Sequence, residues 1–170
     1  LLFKKENLVS NPSELRTSLL ELTYYNSENH PNKLAGAEWS SVCNITEELS
    51  DETGAIKTAI DEVITSINDN SEITVNDFEV YSQYFTQSEN EPPIQRLWYS
   101  GFDPLYHIDQ VAILYMPHEG WKSTFEFWDQ EEETTTLSST IELDQNDLIV
   151  FSSSNAHRFK PSTWGNFNND

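Results

Sequence analysis

The sequence predicts a mainly β domain preceded by helices, and three observations carry that expectation. Two stretches within the first 71 residues repeat apolar side chains at helical spacing. From residue 72 onward, short runs rich in Val, Ile, Phe, Tyr, Trp and Thr alternate with turn residues. The length of 170 residues fits one domain, large enough to bury a core without disulfides or metal staples. Short strands at this spacing imply a sandwich or barrel rather than alternating βαβ units. We therefore expect a single domain over 1–170, with a helical support region over 1–71 and a β core over 72–170.

The first helix is expected to open at Asn11-Pro12, an N-cap residue followed by proline in the first turn, where the missing amide hydrogen costs nothing. Leu15, Leu19 and Leu22 recur at helical spacing and carry it to about Asn26. Residues 27–49 are polar and irregular. A second helix is expected from about Ser50, with Asp51 and Glu52 complementing the positive end of its dipole. Ile56, Ile60, Val63, Ile64 and Ile67 form its apolar stripe, and Asn68-Asp69-Asn70 stops it. Strands are expected over 73–75, 78–85, 94–100, 111–116, 124–128, 135–143 and 148–152, with the helices packed outside one sheet. Glu131-Glu132-Glu133 reads as a solvated hairpin tip.

The net charge is −20, from 29 acidic against 9 basic residues. Nucleic-acid binding draws much of its affinity from Lys and Arg neutralising phosphates, so a DNA or RNA partner is not expected. The acidity reads as a solubility device rather than a steering field. A single Cys43 excludes an internal disulfide and suits a reducing compartment. No apolar run approaches the roughly 20 residues that span a bilayer, and no signal peptide is visible. The expectation is a soluble, cytoplasmic protein with no membrane partner; the sequence does not set its oligomeric state.

The residues that point to chemistry are His107-Ile108-Asp109 and, much later, His157. Two imidazoles and one carboxylate on one face of a site hold non-haem Fe(II) and leave positions open for a co-substrate and dioxygen. In extended backbone, residues two apart point to the same side, so His107 and Asp109 can meet one ion. The apolar strand over 111–116 follows the pair, and a second hydrophobic strand over 148–152 leads through Ser152-Ser153-Ser154 to His157. A sheet folding back on itself would bring the distant His to the pair.

In order along the chain, His107-Ile108-Asp109, Ile113-Leu114-Tyr115-Met116, Gly120-Trp121, Thr124-Phe125-Glu126-Phe127, the strand over 147–152 and His157-Arg158-Phe159-Lys160-Pro161 resemble the Fe(II)/2-oxoglutarate-dependent dioxygenases, in particular the prolyl-hydroxylase-like branch. The resemblance covers residues 78–161. A bare His-x-Asp is common by chance, and the ordered set in strand context is far more specific. It implies a double-stranded β-helix (jelly roll) supported by the helices, with His107, Asp109 and His157 as iron ligands. It implies Tyr115 and Tyr99 as residues lining the 2-oxoglutarate pocket, since phenols can donate to its distal carboxylate. No catalytic residue beyond the metal ligands is implied. The implied activity is that of an oxidoreductase, a hydroxylase using Fe(II), 2-oxoglutarate and O2 on a C–H bond of a peptide or small-molecule substrate.

One element of the family pattern is missing. Relatives carry an Arg or Lys after the distal His, on a last core strand, where it pairs with the co-substrate carboxylate. Nothing basic follows Lys160, and residues 164–170 read as a loop, so either the given chain lacks that strand, which is the expectation, or Arg158 or Lys160 substitutes, or 2-oxoglutarate is not used. Arg158 adjoins a ligand in a strand and should point away from the metal. Two other readings remain: a metal-binding cupin, which needs His-x-His where this chain has His-x-Asp, and a non-catalytic jelly-roll binding or structural module. His118 reads as a turn residue, His30 as part of the polar loop, Cys43 as an inert thiol, and the serines at 152–154 as strand-end residues without a nucleophile elbow.

Overall fold

The computed structural model describes residues 1–26, 40–45, 54–85, 110–117, 122–131 and 133–159. Nine strands and two helices occur among them: β1 (Phe3–Lys5), α1 (Pro12–Leu20), β2 (Tyr25–Asn26), β3 (Ser40–Asn44), α2 (Ala55–Asn70), β4 (Tyr81–Phe85), β5 (Gln110–Tyr115), β6 (Ser123–Glu131), β7 (Thr134–Leu143), β8 (Asp147–Ser152) and β9 (Ala156–Phe159). The mainly β character with two helices is as expected.

Helix α1 starts where the sequence says. The Asn11 side chain accepts from the Glu14 amide at 3.2 Å and donates to the Glu14 carboxylate at 3.1 Å, satisfying an amide that the helix cannot. It ends at Leu20 rather than near Asn26. Thr23, Tyr24 and Tyr25 favour extended backbone, and the Tyr24 hydroxyl donates to the Leu19 carbonyl at 2.7 Å, satisfying a carbonyl in the last turn. Helix α2 begins at Ala55, later than Ser50, because Gly54 stands before it at φ 108°, a conformation that no helix passes through.

The expected strand over 73–75 is absent, and the reason is local. The Ser71 hydroxyl takes the Ile73 amide at 3.2 Å and the Asn68 side chain takes the Val75 amide at 3.3 Å, removing donors that a strand would pair. Ile73 and Val75 still pack on the core. The strand expected over 78–85 shortens to β4. Within residues 27–49, read as irregular, Ser40–Asn44 forms β3, and β1 and β2 add two more strands to the stretch read as helical. The strand expected over 94–100 lies outside the described residues.

All strand pairs are antiparallel and form three sheets ordered β1-β8-β5, β2-β3-β4 and β7-β6-β9. The first and third pack face to face. Ile149 and Phe151 of β8, with Val111, Ile113 and Tyr115 of β5, meet Phe125 and Phe127 of β6 and Ile141 and Leu143 of β7. The alternate residues of β8, Leu148 and Val150, turn to the opposite side and pack with Leu15 of α1 and Ile56, Ala59 and Ile67 of α2. Residues 148–151 are therefore buried on both faces, and the layers run helices, sheet, sheet. At the β6–β7 hairpin, Glu131 pairs with Thr134, and Glu131 and Glu133 are exposed as a hairpin tip should be.

Asn146 ties the N-terminal arm to this core. Its side chain accepts from the Val9 amide at 3.0 Å and donates to the Val9 carbonyl at 2.8 Å. Its own amide donates to the Tyr115 carbonyl at 2.8 Å, and its carbonyl accepts from Leu8 at 3.0 Å. The residue sits at φ 70°, a region that Asn tolerates better than most side chains do.

Candidate functional site

His157 lies on β9 opposite Phe127 of β6, so it shares the face that Phe127 turns into the space between the two packed sheets. Its ring stacks on Phe125 at 5.7 Å with the planes 24° apart, and meets Phe151 edge to face at 4.6 Å and 63°. Only 8% of the residue is exposed. Burial lowers its pKa below the usual value of 6.5, with the hydrogen bond at Asn155 opposing, so the neutral imidazole is favoured.

The turn that delivers His157 is braced by its own serines. The Asn155 amide donates to the Ser152 carbonyl at 3.1 Å, the Ser152 and Ser154 hydroxyls lie 2.8 Å apart, and the Ser154 amide donates to the Ser152 hydroxyl at 3.4 Å. The Asn155 carbonyl then stands 2.6 Å from His157 Nδ1. These residues were expected to be ordinary strand-end serines. Their position three to five residues before an inward-facing histidine is the one sequence signal of this role.

Tyr115 closes β5 opposite Asp147 and turns its side chain into the same cluster as Phe125 and Phe151. Burial pushes its phenol above the ordinary value of 10.0, a hydrogen bond with Ser123 works against that, and the nearby Asp144 carboxylate adds to it. The phenol is thus a protonated donor at neutral pH. Tyr115 and His157 occupy different depths of one interior. Val111, the cross-strand partner of Phe151, is four residues from Tyr115, or roughly 13 Å of strand.

The other end of β5 begins at Gln110, opposite Ser152. Gln110 follows Asp109 directly in the chain. His107, Asp109 and Tyr99 themselves lie outside the described residues, as do Gly120, Trp121, His30, His118 and the residues beyond Phe159. Of the five site residues expected from sequence, the structure therefore describes His157 and Tyr115 and shows both facing one interior. Arg158 pairs with Glu126 in the β6–β9 register. Among the described residues no three His, Cys, Asp or Glu side chains group as a metal site. No helix among them is long and apolar enough to cross a membrane.

No protein family, no curated protein and no solved structure matches the chain.

Proposed function

We propose that the chain is a non-haem Fe(II)- and 2-oxoglutarate-dependent oxygenase on a double-stranded β-helix, hydroxylating a C–H bond of a peptide or small molecule. His107, Asp109 and His157 are its metal ligands. The observation that carries this reading is His157: a neutral, almost fully buried imidazole, turned into the sheet interior at the end of β5 that starts one residue after Asp109. Val111, Ile113 and Tyr115 of β5 all pack into that interior, and Asp109 and His107 precede them in the sequence at the same two-residue spacing.

The strand pairing supports the same reading. β5 pairs with β8, while the β6–β7 hairpin lies between them in sequence and β6 also takes β9. Two facing sheets that share successive strands in this way are what a jelly roll requires. The donor set also fits: two imidazoles and one carboxylate suit Fe(II) with positions left open.

When bound, the iron supplies the activation of dioxygen, which no side chain of the chain can provide. The chain's own residues do the rest. His157 offers a ring nitrogen whose orientation is held by Phe125, Phe151 and the Asn155 carbonyl. The same two phenylalanines, each at most 1% exposed, keep water from that side of the site. Tyr115, protonated, would donate to the co-substrate carboxylate, and Tyr99 would line the same pocket as the family resemblance implies.

The test is anaerobic titration of the intact chain with Fe(II), followed, once O2 is admitted, by measurement of succinate formed from 2-oxoglutarate. The reading expects one metal ion per chain, lost in His107→Ala, and metal-dependent succinate. Uptake unaffected by that substitution would overturn the ligand set, and a chain that binds no metal at all is a binding module instead.

A further inference from the structure

We infer that the turn at residues 152–155 locks His157 in the tautomer that carries its proton on Nδ1, which leaves the lone pair on Nε2. The geometry leaves little choice. A backbone carbonyl has no proton to give, so at 2.6 Å from the Asn155 oxygen it is Nδ1 that must donate. Placing the proton on Nε2 instead would set two lone pairs against each other at that distance, in a buried position.

Two features keep the ring from turning away from this arrangement. Phe125 lies along one face of the imidazole and Phe151 meets it edge-on, so a rotation that exchanged the nitrogens would displace buried aromatic rings. The acceptor is fixed as well, because Asn155 is held by Ser152 through its amide at 3.1 Å, and Ser154 is held by the Ser152 hydroxyl. Asn155 and Ser152 are positioning residues: they act on the site only through His157. Free histidine prefers the opposite tautomer, which makes the inference specific. That Nε2 meets a divalent cation rests on the oxygenase reading; the tautomer does not.

The experiment is long-range 1H–15N NMR of the full chain, labelled at histidine and treated with chelator. The signal that disappears in His157→Gln identifies the residue. The lock predicts a pyrrole-like Nδ1 and a pyridine-like Nε2, with roughly tenfold or greater preference. A protonated Nε2, or an averaged spectrum, would overturn it. Thermal unfolding of two variants gives a second measurement. The amide nitrogen of His157→Asn occupies the place of Nδ1 and keeps a donor for Asn155, while that of His157→Gln occupies the place of Nε2. His157→Asn should therefore unfold at the higher temperature, and the reverse order would count against the lock. Titration with Co(II) separates the two proposals. A locked Nδ1–H tautomer in a chain that takes up no Co(II) would support the lock while removing the oxygenase reading.

Discussion

Phe151 on β8 and His157 on β9 meet edge to face at 4.6 Å, across two sheets that share no hydrogen bond between those strands. Phe151 also touches Phe125 at 5.5 Å and Phe127 at 5.2 Å, so one ring fastens the sheets together beside the candidate ligand. Packing of the core and orientation of the site are therefore one problem at this position.

Phe151→Ala removes a ring with no exposed surface and leaves a cavity between the sheets. The expected loss is about 3–5 kcal/mol, as for other buried Phe truncations, with Phe151→Leu costing markedly less. Urea unfolding checks this. A loss below about 1 kcal/mol for Phe151→Ala would mean that the sheets do not pack through this ring.

Asn146→Ala removes both side-chain hydrogen bonds to Val9 and leaves a buried amide and carbonyl without partners. We expect a loss of about 2–4 kcal/mol. Asn146→Gly loses the same two bonds but accepts φ 70° freely, so it should be the more stable of the two by about 1 kcal/mol. Equal stabilities would show that the backbone conformation contributes nothing.

The lowered pKa of His157 makes stability depend on pH in a defined direction. As pH falls through 6.5 the unfolded chain takes up a proton at this residue while the folded chain resists, so stability decreases with falling pH. The loss begins near 6.5 and stops once the folded imidazole is itself protonated, at its lower value. Unfolding curves at about pH 7.5 and about pH 5.5 should show a steeper loss in the wild type than in His157→Asn. Parallel losses in the two proteins would place the effect on other groups.

Metal binding supplies the fourth prediction. On the proposed ligand set, substituting alanine at His107, Asp109 or His157 should each reduce divalent-metal affinity by more than about 100-fold, because losing a ligand costs more than losing a supporting contact. Tyr115→Phe should leave metal affinity unchanged and weaken 2-oxoglutarate binding, measured by calorimetry. A Tyr115→Phe chain with unchanged co-substrate affinity would remove Tyr115 from the pocket.

The sequence by itself determined the parts that depend on local pattern. The cap at Asn11-Pro12, the apolar stripe of α2 and the strands β5 to β8 follow from side-chain periodicity and turn residues, and they appear where the pattern puts them. Short elements were not legible. β1, β2 and β3 are two to five residues long and rich in Lys, Asn and Ser, and they are strands because β8 and β4 supply partners for their backbones. In the same way, side-chain hydrogen bonds from Ser71 and Asn68 overrule the strand propensity of Ile73 and Val75.

His157 shows the same division. Its residue type and its place after a hydrophobic strand marked it as a candidate ligand from the sequence alone. That it is buried, turned inward between Phe125 and Phe151, and hydrogen-bonded through Nδ1 was decided only by tertiary structure. Those properties belong to residues brought together from three different strands and a turn. Periodicity along the chain fixes which face a side chain takes, and only the packing of distant strands fixes what that face meets.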